Sequence, residues 1–186
     1  PEFVYETLGE YTPNDPWINS QWYIDRIQAR RAWLLCQGDT NVVVGFTDTS
    51  FMWDHADLFP ALRKKTADIP WDGIDNDEDG YVDNPGGLDH GTMVAGLGAA
   101  RTDNGMGITN PGFRCSFLPV KCSYDSDRGG NASIILGYDA IQYAASQGAH
   151  IINCSWGGMG YSLYAQDIVN YITQNKNSLL VAAGGN

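Results

Sequence analysis

Basic residues are scarce in this sequence: 11 lysines and arginines stand against 22 aspartates and glutamates, a formal charge of -11 over 186 residues. A nucleic-acid footprint or an anionic-lipid anchor needs a clustered positive excess, so the composition argues against such partners. Long apolar runs are missing as well, and none approaches the roughly eighteen consecutive apolar residues of a membrane span. The opening Pro1-Glu2-Phe3 lacks the basic-then-apolar plan of a secretory signal. A start at proline implies that something upstream has been removed, and a signal or a pro-segment would lie there. Cysteine is limited to Cys36, Cys115, Cys122 and Cys154, with no C-x-x-C pair and no grouping with histidine at zinc-ligand spacing. This argues against a metal knuckle and for small buried hydrophobes. Cys115 and Cys122 flank an expected strand at an odd separation, so they project to opposite faces and a disulfide between them is not expected. No Gly-rich phosphate loop follows the first expected strand, which argues against a flavodoxin-like nucleotide binder.

What the sequence does have is 43% hydrophobic residues, enough for one sizeable core, arranged as short β-branched runs alternating with segments of helical period. Residues 1–40 read as an extended arm, with Pro13-Asn14-Asp15-Pro16 and the aromatic cluster Trp17, Trp22 and Tyr23, followed by a short lead-in helix over 27–36 that Gly38 ends. Strands are expected at 41–47, 113–122, 150–155 and 178–183. Helices are expected at 90–100, after an Asn131 cap with Ile134, Tyr138, Ile141 and Ala145 as its inner face, and around Tyr164, Ile168 and Ile172. Strands apolar on both faces and separated by helices predict an α/β fold, a doubly wound, mainly parallel sheet with helices on both faces. Ligands of such sheets sit beyond the carboxyl ends of the strands. Three segments therefore stand out: Asp48-Thr49-Ser50, Ser155-Trp156-Gly157-Gly158 and Gly184-Gly185-Asn186.

Asp48 directly follows an apolar run, where its carboxylate would be buried at the sheet rim; it could serve chemistry or cap a turn through Thr49 and Ser50. His90 opens a helix of small residues, and the positive end of the helix dipole favours the neutral ring that a general base must have. His55 reads as a surface residue and His150 as a satisfied histidine at a strand start. The Asn186 amide offers a donor toward a cleft, or a turn.

In combination these segments are more specific. V-V-x-G-x-x-D-T, D-H-G-T-x-V-A-G, I-I-N-x-S-W-G-G and V-A-A-G-G-N, in that order, resemble the subtilisin-like serine protease family over nearly the whole chain. The resemblance implies that Asp48 and His90 hold two triad positions, that Asn186 supplies the oxyanion-hole amide, and that Ser155, Trp156, Gly157 and Gly158 bind the substrate backbone as an added strand. Trp156 would then form a pocket wall. It further implies an endopeptidase acting on peptide or protein substrates by acyl transfer, made with a pro-segment and secreted to an extracellular or periplasmic space. The chain departs from the family pattern at Thr49-Ser50, where a small residue then glycine is usual, at Met93, where a second histidine is common, and at Gly184.

The family's nucleophile sits in a G-T-S motif that this sequence does not contain. The expectation is therefore a partial catalytic domain over 41–186 that is inactive alone and has a sheet edge at 178–183 open to self-association. A non-catalytic, peptide-binding relative of the family is the rival reading. Finally, Asp75-Asn76-Asp77-Glu78-Asp79-Gly80-Tyr81-Val82-Asp83 sets carboxylates on alternate residues around a glycine at the sixth position, the spacing that wraps oxygen ligands about Ca²⁺. Asp75, Asp77, Asp79 and Asp83 would give side chains and Tyr81 its carbonyl. Asp57, in His55-Ala56-Asp57-Leu58, resembles a further calcium ligand of the family.

Overall fold

The computed structural model describes residues 9–63, 90–124 and 133–185. Among these residues four parallel strands form one sheet in the order β2-β1-β3-β4, with β1 at Val43–Asp48, β2 at Ser116–Lys121, β3 at Ile151–Cys154 and β4 at Leu179–Ala182. The long helices are α3 at His90–Ala99, α4 at Gly137–Ser146 and α5 at Leu163–Asn175. Two short helices precede β1, α1 at Trp22–Arg26 and α2 at Ala29–Ala32.

The period of two along the strands sorts side chains onto two cores. Phe46 of β1 and Phe117 of β2 face α3, where they meet Ala95 and Ala99 together with Phe51, Leu58, Ala61 and Cys115. Val43, Val120, Ile152 and Cys154 face the other way, onto Ile141 and Ala144 of α4 and Ile168 and Ile172 of α5. Small residues let the helices come close. A Cβ on Gly45 would lie 3.2 Å from the methyls of Ala144 and Ala149, and one on Gly98 only 2.8 Å from the Phe46 ring. Cys115 and Cys122 lie in opposite cores as free thiols, as their odd spacing predicts; Cys154 is also free and buried, while Cys36 is exposed.

The chain runs from β1 to β2 on one side of the sheet, then returns past β1 to β3 and β4 on the other. This reversal makes β1 and β3 the switch point of the sheet, beyond whose carboxyl ends open α/β folds hold their ligands.

The expected lead-in helix over 27–36 is corrected. Helix α1 starts earlier, Gln28 takes a left-handed φ of 56° that breaks the run, and Ile27, Leu34 and Leu35 are exposed. Only Trp33 of the expected apolar face is buried; it packs edge-on against Phe113, with ring centroids 5.6 Å apart, in a third core shared with Ile18, Ile24 and Ala29. Phe113 itself has a φ of 59°, so β2 begins at Ser116 rather than at 113. Helix α4 begins at Gly137 after Leu136, so Ile134 precedes it and Tyr138 is partly exposed, whereas Ala140, Ile141, Ala144 and Ala145 make its buried face. The Asn131 cap falls outside the described residues. Ser162 caps α5 by accepting from Ala165 N. Strand β4 forms one end of the sheet, with Leu179 and Val181 exposed.

Buried polar groups fasten the arm to the domain. The Asp15 carboxylate accepts from Asp103 N at 2.9 Å, Asn104 N at 3.1 Å and Thr109 Oγ1 at 2.7 Å. Gln21 exchanges two hydrogen bonds with the Thr109 backbone, at 2.7 and 2.8 Å. Asp57 accepts from Asn104 Nδ2 at 2.8 Å and Ile108 N at 3.0 Å. A Cβ on Gly107 would come within 2.1 Å of the Asp57 carboxylate, so only glycine fits there. Burial, reinforced by the charge of Asp15, raises the Asp57 carboxyl above its ordinary range.

Candidate active site

Asp48 is the last residue of β1, and strand alternation turns its carboxylate onto the α3 face of the sheet. His90 is the first residue of α3. Its Nδ1 lies 2.9 Å from Asp48 Oδ1 and 3.0 Å from Oδ2, so two residues 42 positions apart in sequence share one contact. The Asp48 side chain is 2% exposed and that of His90 54% exposed. The carboxylate is thus held inside the protein while the imidazole keeps an outward face.

The local sequence explains this approach. A Cβ on Gly91 would fall 2.4 Å from Ser50 O and 2.9 Å from both Asp48 Cβ and a Phe51 ring carbon. Glycine is therefore required for the first turn of α3 to reach the end of β1. Thr92 Oγ1 accepts from Met52 N at 2.7 Å and pins the loop after Asp48 to the same helix. Thr49 donates to Asp48 Oδ1 from its backbone N at 2.7 Å and from Oγ1 at 3.3 Å. The backbone bond is available to any residue but proline, and the threonine side chain adds only the Oγ1 contact. Ser123 Oγ donates to Thr49 O at 2.6 Å and ties this loop to the end of β2.

An ionised carboxylate only accepts, so this geometry assigns the Nδ1 proton to His90 and leaves Nε2 as the acceptor on the exposed side. Such a pair can take a proton from a hydroxyl at Nε2 and stabilise the resulting imidazolium.

Ser155, Trp156, Gly157 and Gly158 continue beyond the carboxyl end of β3, the strand paired with β1. The last ladder bond on the β4 side runs from Ala183 N to Cys154 O at 3.1 Å, and residues 155–158 make no backbone hydrogen bond among the described residues. Nothing lies within 4 Å of a Cβ added to Gly157 or Gly158, so that backbone is open to an incoming strand. Trp156 is half-buried, and its ring is held at one edge. Its indole Nε1 is turned inward and donates to Thr47 O at 2.9 Å and Thr47 Oγ1 at 3.0 Å.

Asn186 and the acidic segment with Asp75, Asp77, Asp79, Tyr81 and Asp83 lie outside the described residues. Among the described residues, no group of three or more His, Cys, Asp or Glu side chains could hold a metal ion, and no helix is long and apolar enough to cross a membrane. His55 is half-buried, its Nδ1 accepting from Asp57 N at 3.2 Å, and exposed His150 accepts from Val43 N at 3.2 Å, so both are engaged structurally.

Sequence reasoning did not single out Thr47, Thr92 or Gly137 as parts of this region. A threonine inside a β-branched strand carries no signal of what its hydroxyl will meet. Gly91 is the exception, since the small-residue spacing after His90 already marks close packing.

A profile described as "Subtilase family" matches residues 39–186. The chain is 37% identical to thermitase of Thermoactinomyces vulgaris over 177 residues, covering 95% of the chain and 58% of that protein. It is also 37% identical to the halolysin-like extracellular serine protease Nep of Natrialba magadii over 186 residues, covering 98% of the chain and 32% of that protein. Among solved structures, a protease of Pseudoalteromonas arctica matches with a TM-score of 0.72 at 27% identity, covering 95% of the chain and 60% of that structure. Fervidolysin of Fervidobacterium pennivorans, described as a keratinolytic enzyme related to subtilisin, matches with a TM-score of 0.67 at 28% identity, covering 93% of the chain and 25% of that structure. The chain thus spans roughly one third to three fifths of the length of these curated relatives.

Proposed function

The chain belongs to the subtilase family, and on that premise we propose that it is part of a serine endopeptidase that cleaves peptide bonds by acyl transfer. The observation that carries this reading is the contact of His90 Nδ1 with both carboxylate oxygens of Asp48, at 2.9 and 3.0 Å, at the carboxyl end of β1. Residues 41–186 would form part of the catalytic domain, and residues 1–40 the arm bound to it.

In the proposed reaction His90 Nε2 accepts the proton of a serine hydroxyl as the serine oxygen bonds to the scissile carbonyl carbon. Asp48 holds the ring in the required tautomer and balances the charge of the imidazolium. The Asn186 amide donates to the oxygen of the tetrahedral intermediate. His90 then gives its proton to the leaving amine as the carbon–nitrogen bond breaks. Water repeats the sequence on the acyl-enzyme and releases the acid. The substrate lies extended along residues 155–158, bonding to their free backbone groups. No G-T-S motif occurs among these 186 residues, so the serine is assigned to the longer protein.

The acidic segment is proposed as a structural Ca²⁺ site, with Asp75, Asp77, Asp79, Asp83 and the Tyr81 carbonyl as ligands. Its donors are all hard oxygens, which suits this ion. Secretion is proposed from the relative whose name marks it as extracellular. A pro-segment and pairing of the β4 edge with a further strand belong to the same reading.

The test is labelling of the full-length gene product with a fluorophosphonate probe. Covalent labelling that H90A abolishes is the expected result. A full-length product that takes up no probe and cleaves no peptide is a binding module instead, and the endopeptidase reading then fails.

A further inference from the structure

Residues 155–158 present open backbone to a substrate, yet no backbone hydrogen bond among the described residues holds them in place. Gly157 and Gly158 have no side chains to anchor them. Among the described residues Ser155 is tied only to its own strand, its Oγ accepting from Asn153 Nδ2 at 2.9 Å. The remaining anchor among the described residues is Trp156, whose indole crosses to β1 and donates to Thr47.

Thr47 is a fixed point. It is completely buried, and its Oγ1 donates to Asn153 O at 3.1 Å, so its hydroxyl accepts from the indole while bridging β1 to β3. It also immediately precedes Asp48. Strand alternation turns Thr47 toward α4 and Asp48 toward α3, so the last two residues of β1 serve opposite faces of the sheet. One of them holds the imidazole and the other holds the substrate-binding segment.

The start of α4 is shaped around the same indole. A Cβ on Gly137 would fall 2.6 Å from Trp156 Cη2 and 2.7 Å from Cζ2, and the Tyr138 ring stands edge-on to Trp156 with centroids 5.6 Å apart. The inward orientation is thus enforced from the side as well as by hydrogen bonds.

We propose that Trp156 is a positioning residue: its bonds to Thr47 fix the substrate-binding segment in register with Asp48 and His90, so that a peptide paired along 155–158 brings its scissile bond to the imidazole. The inference rests on the endopeptidase reading and deepens it. Its signature is a dependence on substrate length. A substrate long enough to pair with the segment needs the link, whereas a single-residue ester does not.

The experiment measures kcat/KM of the full-length gene product on an extended peptide amide and on a single-residue ester, with thermal midpoints recorded alongside. W156F keeps an aromatic ring but removes the donor, and the ratio of the two constants is expected to fall about tenfold, the order of one net hydrogen bond. T47V keeps the carbonyl acceptor and loses only the hydroxyl, so a fall of about threefold is expected. G137A crowds the indole from α4 and should lower the same ratio with both bonding partners present. An unchanged ratio in W156F and G137A, or equal losses on both substrates with a lower thermal midpoint, overturns the inference and leaves Trp156 a packing residue. If W156F does not fold, T47V and G137A decide by the same ratio. Unaltered protein that cleaves neither substrate rejects the endopeptidase reading itself, and this inference with it.

Discussion

Two buried carboxylates, Asp48 and Asp57, share an environment but not a chemistry. Each is almost wholly removed from solvent and each accepts hydrogen bonds from a neighbouring segment. Asp57 is met by fixed amide donors, the Asn104 side chain and the Ile108 backbone, none of which exchanges a proton at ordinary pH. Asp48 is met by a backbone amide on one side and by an imidazole with an outward face on the other. Burial alone therefore does not distinguish the two carboxylates. What separates the two is whether the hydrogen-bond partner is an imidazole whose second nitrogen faces outward; in the proposed reaction that nitrogen exchanges the proton with the reactant while Asp48 stays ionised.

The largest break in that comparison comes from removing the charge at Asp48 while keeping its shape. In D48N the amide can no longer hold His90 in the tautomer that frees Nε2. The kcat of the full-length gene product should fall about ten-thousandfold, the loss seen for this change in an unrelated serine protease triad. Steady-state kinetics on a peptide substrate checks it. A loss of under tenfold would place Asp48 beside Asp57 as a structural anion.

A buried thiol sharpens the contrast by sensing Asp48 through the sheet. Cys122 N donates to Asp48 O at 2.7 Å, while the thiol lies in the core on the α4 side. Burial first, then the Asp48 charge and then Cys154, pushes the Cys122 thiol up to about 12 from an ordinary 9.0. Between these values the unfolded chain releases the proton and the folded chain keeps it, so stability falls as pH rises above 9. The loss from this group approaches about 4 kcal/mol at pH 12 as an upper bound. Urea unfolding from pH 8 to 11 should show a smaller alkaline decline in C122V. D48N should also lower the Cys122 pKa, because one of its raising charges is gone.

How much of this was legible in the sequence follows from the range of each interaction. Strand β1 was readable because Val42 to Phe46 is an apolar run with a charged stop, whereas the Asp48–His90 pairing was readable only through the resemblance of the ordered motifs to the subtilisin-like family. The arm was misread where tertiary contacts overrode local period. Leu34 and Leu35 look like the inner face of a helix, yet it is Trp33 that turns inward, because Phe113, some eighty positions away, provides the surface for it. Phe113 can do so only from a left-handed backbone that apolar periodicity does not reveal. The inward turn of Trp156 was hidden for the same reason. It depends on the missing side chain at Gly137 and on a hydroxyl of a different strand.

The smallest effect tests the structural side of the comparison. D57N preserves volume but replaces one carboxylate oxygen with an amide that cannot accept, so either Ile108 N or Asn104 Nδ2 loses its buried partner. Leaving such a donor unsatisfied costs about 1–3 kcal/mol. The loss should appear as a lower urea midpoint with an unchanged denaturant slope, since the surface exposed on unfolding is the same. Protease nicking within residues 9–20 should increase as well, because Asn104, which Asp57 orients, also carries the backbone N–H that Asp15 of the arm accepts. A variant with an unshifted midpoint and an equally protected arm would show that Asp57 is not part of what fastens the arm, and the two carboxylates would then differ in more than their partners.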